Sequence, residues 1–137
     1  SIAVRLQQLF SWMRDEVVAA DLRQVSVLAS ESQAAFCRQL GLNVISTFSD
    51  AKSASENPGE IDRAADIGSQ AEIRFIITNR HGERQVAEAL ADRTGGQVIE
   101  FAAVPETNDA NAFDKMVRGN VRLLLDASTG SRGGRVP

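Results

Sequence analysis

A chain of 137 residues with a 43% hydrophobic and a 24% charged share suits one domain, which buries roughly two-thirds of the surface its unfolded chain exposes. The net charge is −3, Lys and Arg are scattered apart from Arg132 and Arg135, and there are six Phe, one Trp and no Tyr. That balance argues against a nucleic-acid partner, which needs clustered cations and stacking rings. A single cysteine, Cys37, excludes an intramolecular disulfide, and with no apolar run approaching ~18 residues nothing reads as a membrane-spanning helix.

Residues 2–19 read as a helix, because Leu6, Leu9, Phe10, Met13 and Val17 recur at spacings of three and four. Val4, Trp12 and Val18 lie off that stripe, the mark of a helix that touches more than one body. The chain opens directly in this segment, as a mature or truncated chain would, so the lack of a leader carries no information about compartment. "QVSVLA", 24–29, is a short β-prone run. Ser30 then suits a helix N-cap, with Gln33 completing a capping box, and Gly41 closes that helix as the C′ residue. Cys37 falls inside it and reads as a small buried hydrophobe.

"NVISTF", 43–48, is the second strand, and 49–60 is a polar loop ending in a strong helix start with Asn57 as cap, Pro58 at the first position and Glu60 in the first turn. Ile61, Ala64, Ala65 and Gly68 line the inner face of that helix. "IRFIIT", 73–78, is the most apolar strand and therefore central. A helix over 82–93 turns Val86, Ala87, Leu90 and Ala91 inward and stops at Thr94-Gly95-Gly96. "QVIEFA", 97–102, is the fourth strand. Asp109 can cap a last helix whose stripe is Ala112, Phe113, Met116, Val117, Val121, Leu124 and Leu125, and the Gly-, Ser- and Arg-rich residues 128–137 read as a flexible tail. The domain plan is thus a spine helix over 1–22, an α/β lobe over 23–127 and the tail.

Strands alternating with helices imply right-handed crossovers and a three-layer α/β sandwich: a four-stranded, mostly parallel sheet with helices on both faces. In such sheets ligands bind outside the carboxyl ends of the strands, which here means Ser30-Glu31, the 48–56 loop, Asn79-Arg80-His81, and Ala102 onward. None of these places carries a GxGxxG, a GxxxxGK[ST] or a GxSxG pattern. A hydrolytic Ser30, His81 and Asp50 set is open on sequence alone. The plainer reading makes Ser30 a helix cap, His81 a surface residue, and Glu31 and Asp50 solvated loop charges.

The order of segments resembles the C-terminal lobe of the zinc- and manganese-type metal receptors of ABC transporters, a family with a periplasmic-binding-protein-like fold. Four stretches carry the resemblance: "LFSWMRDEVVAADLRQVSVLASESQAAFCRQLGLNVI", "NPGEIDRAADIGSQAEIRFIITN", "VAEALADRTGGQVIEF" and "AFDKMVRGNVRLLLDA". In the last, Phe113, Met116 and Asn120 hold the spacing of the family's Y-x-x-M-x-x-x-N helix, with Phe in place of Tyr. The resemblance covers roughly residues 5–127. It implies a periplasmic or extracytoplasmic location, a membrane permease as partner and no catalytic residues. It also implies a metal held between two lobes, with two side chains from each.

Aligned on the family's pattern, the first metal-ligand position falls at Ser30, a carboxylate position after the central strand at Asn79, and the position after the fourth strand at Ala102. A hydroxyl, an amide and a methyl are poor donors where zinc and manganese take imidazole, thiolate or carboxylate. The resemblance therefore implies a lobe that keeps the fold without the metal chemistry. Zinc or manganese would enter only if Glu31, after a one-residue slip, and His81 rebuilt a ligand pair. Two other readings stay open: a protein-interaction or regulatory domain reusing the lobe, and a small hydrolase using Ser30 and His81. The helix over 2–19, a spine packed on both lobes in the family, implies that its outer face, with Trp12 or Val18, is covered by an N-terminal lobe or by a second copy of the chain.

Overall fold

The computed structural model describes residues 2–49, 58–80, 84–105 and 111–135. Nine elements follow in the order α1 (Ile2–Ala19), β1 (Ser26–Ser30), α2 (Ala34–Gln39), β2 (Asn43–Phe48), α3 (Pro58–Ala71), β3 (Phe75–Asn79), α4 (Arg84–Thr94), β4 (Gln97–Phe101) and α5 (Ala112–Arg135). The strands form one sheet in the order β2-β1-β3-β4, and every neighbouring pair is parallel.

Period-two alternation along the strands builds two cores. Val27, Ala29, Phe75, Ile77, Ile99 and Phe101 face one way, where α1, α2 and α5 cover them with Leu9, Met13, Val17, Cys37, Leu40, Val117, Val121 and Leu124. Leu28, Ile76 and Phe48 face the other way, under Ile61, Ala64 and Ala65 of α3 and Val86, Ala87 and Leu90 of α4. The inner strands β1 and β3 are almost continuously buried, while β2 and β4 are only half-buried along most of their length. This is the burial expected of a parallel sheet covered on both faces. The register of β1 against β2 slips between Val27 and Leu28, which pair with Val44 and Ser46 and leave Ile45 as a bulge.

The helix ends are closed by backbone geometry. Gly41, at φ +92, follows α2 in a Schellman motif: Leu42 N–H donates to Cys37 C=O at 3.1 Å and Gly41 N–H to Arg38 C=O at 3.0 Å. The same pair of bonds ends α1, from Leu22 to Val17 and from Asp21 to Val18. There the left-handed position is filled by Asp21 at φ 58, and after α3 by Glu72 at φ 55, so two helices stop without the glycine that marks such a stop in a sequence.

Three expectations need correction. Ser30 is not a helix cap: β1 runs through Ser30, whose neighbour across the ladder is Phe48, and α2 starts four residues later with Gln33 in the cap position and no side-chain cap bond. The strand pairing holds Ser30 extended and the turn over 31–33 intervenes. Residues 128–135 are not a tail, because α5 continues to Arg135. Ser128 is buried, its hydroxyl donates to the Leu125 carbonyl at 2.8 Å, and its own carbonyl accepts from Arg74 Nη2 at 3.3 Å, so tertiary contact overrides a poor helix composition. Phe113 lies 43% exposed in the first turn of α5 and does not join the buried stripe. Asn57 and Asp109, the expected caps, lie outside the described residues.

The outer side of α1 is only partly open. Trp12 packs against the core, and the Arg118 guanidinium of α5 sits 4.5 Å from its ring centre, so its face is covered from within the chain. Val4 and Val18 stay 49% and 59% exposed, and a shallow hollow of about 390 Å³ is lined by Val4, Gln7, Gln8, Ser11, Trp12 and Asp15.

A candidate ligand site at the carboxyl edge of the sheet

The chain leaves β1 through α2 on one face of the sheet and reaches β2 on one side. It leaves β3 through α4 on the opposite face and reaches β4 on the other side. The two connections diverge and open a crevice beyond Ser30 and Asn79, the switch point at which open α/β sheets take ligands. Side chains at those two strand ends are held by the most heavily hydrogen-bonded strands of the sheet, which is what a rigid site requires.

Four neutral side chains occupy the place. Ser30 is fully buried as the last residue of β1. Its carbonyl accepts the Gln33 N–H at 2.9 Å, closing the turn, and the Glu31 N–H donates to the Phe48 carbonyl at 2.9 Å. The turn aims the Gln33 side chain, only 3% exposed, across to β3, where Nε2 donates to Asn79 Oδ1 at 2.7 Å. Asn79 returns the contact: its Nδ2 donates to Ser32 Oγ at 2.6 Å. The Ser32 and Ser30 hydroxyls lie 3.5 Å apart.

The structure thus brings Ser30 and Asn79 to one site through Ser32 and Gln33. Sequence reasoning missed Ser32 and assigned Gln33 to a cap. The available signal was a polar S-x-S-Q run directly after the apolar Val27-Leu28-Ala29 stretch of β1. Glu31 lies on the same turn with its side chain exposed. Ala102, just past β4, takes part through its backbone alone, because the Asn120 amide of α5 accepts from its N–H at 2.8 Å and donates to its carbonyl at 3.0 Å. His81 and Asp50 lie outside the described residues. Ser30, the expected nucleophile of the hydrolase reading, has no accessible surface, whereas a nucleophile must meet its substrate.

Among the described residues, Glu60 and Glu100 are engaged. Glu60 Oε1, in the first turn of α3, accepts the Ser49 N–H, and Glu100 of β4 is paired with Arg84 at 2.7 Å. Among the described residues no three of His, Cys, Asp and Glu come together. Cys37 packs behind α2 in the apolar core, where burial pushes its thiol up to about 12, opposed by the nearby Arg38 charge. A thiol held neutral in that way is neither a ligand nor a nucleophile.

A family described as the zinc-uptake complex component A, periplasmic, matches residues 1–127. The chain belongs to that family. Its members are metal-binding solute-binding proteins rather than enzymes, they work with ABC transporter permeases, and they are periplasmic or extracellular. No curated protein matches the chain by sequence. Among solved structures it is similar to the FpvC protein of Pseudomonas aeruginosa in complex with Ni2+, at 15% identity and a TM-score of 0.68, covering 95% of this chain and 49% of that one. It is similar to the Cd-bound periplasmic metal-binding protein of Candidatus Liberibacter asiaticus, at 14% identity and a TM-score of 0.65, over 93% and 49%. It also matches the laminin-binding protein of Streptococcus agalactiae, described as an adhesin with metal-transporting activity, at 16% identity and a TM-score of 0.61, over 90% and 48%. The chain spans about half the length of these structures. The likeness confirms the fold expected from the order of segments: one α/β lobe of a periplasmic-binding-protein-like receptor, with its sheet parallel throughout.

Zinc is held by thiolate, imidazole or carboxylate; among the described residues the cluster at the switch point presents two hydroxyls and two amides, with the Glu31 carboxylate exposed on the same turn.

Proposed function

We propose that this chain is a substrate-binding lobe of an extracytoplasmic solute receptor serving an ABC importer, in a form that has given up zinc and manganese. The observation that carries the reading is the Ser30, Ser32, Gln33 and Asn79 cluster. It occupies the switch-point edge where the family resemblance places metal ligands, and all four side chains are neutral. Family membership supports the receptor role and the permease as partner.

The outer side of α1 supports a two-body arrangement. Val4 and Val18 are exposed two turns to either side of Ser11, and a hollow that includes Val4 is lined mostly by the polar Gln7, Gln8, Ser11 and Asp15. This surface suits a second lobe, or a second copy, laid along the helix. A lone apolar residue on a surface needs no partner, but two exposed on the same helix, one of them lining a hollow, favour one.

The test is transport coupling. The protein carrying this lobe, added to its own permease in proteoliposomes, is expected to raise ATP hydrolysis in the presence of its solute, and Asn79→Ala is expected to reduce that stimulation. A rate that the protein leaves unchanged in every solute mixture refutes the receptor reading.

A further inference from the structure

We propose that the outer face of α1 is the contact surface between two copies of this chain, paired antiparallel about a two-fold axis that passes at Ser11. This contact is independent of the receptor reading, and its failure leaves that reading intact.

The inner side of α1 is spent within the chain. Leu9, Met13 and Val17 are buried in the core, and the Arg118 guanidinium sits over the Trp12 ring. The outer side carries a second stripe. Val4, Ser11 and Val18 stand one heptad apart along its centre, Gln7 and Arg14 flank them on one edge, and Gln8 and Asp15 on the other; all seven are exposed. The stripe is symmetric about Ser11, with a valine at each end, a polar pair about one turn in from Ser11 on either side, and the serine in the middle.

A two-fold axis requires a self-complementary surface, because each patch meets its own copy. Turned end for end about Ser11, the stripe sets Val4 against Val18 of the second copy, Gln7 against Arg14 and Gln8 against Asp15, each twice. Apolar meets apolar. Each charge meets an amide, which accepts from the guanidinium and donates to the carboxylate. Ser11 meets Ser11 at the crossing, where a small side chain lets two helices approach closely. Parallel pairing is disfavoured, because Arg14 would face Arg14 and Asp15 would face Asp15. The hollow lined by Val4, Gln7, Gln8, Ser11, Trp12 and Asp15 lies on this surface. Val18, 59% exposed, is the side chain that the second copy brings to its Val4 end. An 18-residue helix is about 27 Å long, so the contact falls at the small end of specific interfaces, and dissociation in the micromolar range is expected.

Sedimentation equilibrium of the 137-residue chain, from about 10 µM to about 1 mM, is expected to show a reversible monomer–dimer equilibrium. Val18→Asp, which sets a carboxylate against Val4, is expected to weaken it at least about 10-fold, with folding checked by circular dichroism. Gln7→Lys places like charge opposite Arg14 and is expected to weaken it roughly 2- to 30-fold, whereas Gln7→Glu is expected to tighten it by a similar factor. Disulfide capture in a glutathione buffer reads the register, with the parent chain, whose Cys37 is buried, as control. Ser11→Cys is expected to cross-link to itself, and Val4→Cys and Val18→Cys to cross-link only when mixed with each other. A monomer over the whole concentration range overturns the proposal and leaves this face to a second lobe. A dimer that survives Val18→Asp has its contact elsewhere, and self-linking of Val4→Cys or Val18→Cys alone shows parallel pairing; either result overturns the proposal, as does a Gln7→Lys dimer as tight as the parent's.

Discussion

Replacing Asn120 by Ala tests how the fourth strand is anchored to the last helix. The Asn120 side chain, 2% exposed, clamps both backbone groups of Ala102, accepting from its N–H at 2.8 Å and donating to its carbonyl at 3.0 Å. Two bonds are lost at once. If water replaced both partners the cost would be about 1 kcal/mol for each bond, and if the backbone groups were left dry it would rise to about 1–3 kcal/mol for each. Ala102 is half-buried at the end of β4, so an intermediate total of roughly 2–4 kcal/mol is expected. For a chain of this length that lowers the melting midpoint by roughly 7–14 °C. Urea and thermal unfolding followed by circular dichroism measure the loss. Native-state hydrogen exchange supplies the local check, since the Ala102 amide should exchange faster in the variant by more than the global loss of stability accounts for. A loss below about 1 kcal/mol, well under the sum for two buried bonds, with Ala102 protection unchanged, would refute the clamp.

Gly68→Ala should cost about 1–3 kcal/mol by overpacking, because a Cβ there would meet Ile73 Cγ1 and Thr94 Cγ2 at 3.0 Å and Leu28 Cδ1 at 3.2 Å. Gly119→Ala, which meets nothing within 4 Å in α5, should instead stabilise by about 0.5–1 kcal/mol; urea midpoints of the two variants settle both signs. The Cys37 thiol is held neutral up to about 12 in the fold against 9.0 when free, so the unfolded chain releases that proton first as pH rises. Stability from this group is complete below pH 9 and falls by about 1.4 kcal/mol per pH unit above it, and Cys37→Ala should show a correspondingly shallower alkaline decline in urea titrations at pH 8 to 10. Glu72→Gly should stabilise by up to about 1 kcal/mol, since Glu72 sits at φ 55 where only glycine avoids the left-handed penalty; an unchanged midpoint in thermal denaturation would count against strain there.

The fold was legible because each strand and helix declares itself locally. "NVISTF" supplies β2 residue for residue, and the apolar "IRFIIT" run supplies a strand buried on both faces, with its start shifted to Phe75. Helix periodicity located Leu9, Met13 and Val17 in the core. Two boundaries failed for one reason, that tertiary contact outranked composition. Ser30 carries the side chain of a cap, yet pairing with β2 draws it into the sheet. Ser128 and Thr129 carry the composition of a tail, yet α5 continues past residue 127, where the Ser128 carbonyl accepts from Arg74 in a half-buried contact. Trp12, read as part of an open face, finds Arg118 on a helix more than a hundred residues away, a distance that periodicity cannot see.

The site was only half legible, and the missing half follows from the same shift of one strand boundary. Ser30 and Asn79 could be named in advance because ends of parallel strands are where ligands bind, whatever the residues there. Ser32 and Gln33 could not, because their positions depend on how far β1 runs before it turns. Had α2 begun at Ser30, Gln33 would have been spent inside the first turn, its side chain bonded to the backbone of its own helix. With the strand one residue longer, the 31–33 turn is free of the helix and throws Gln33 across the crevice to Asn79. A single residue of strand length therefore turns a local capping pair into a cross-sheet relay. The order of the edge lies in that relay, which ties the end of β1 to the end of β3 through Gln33 and Asn79.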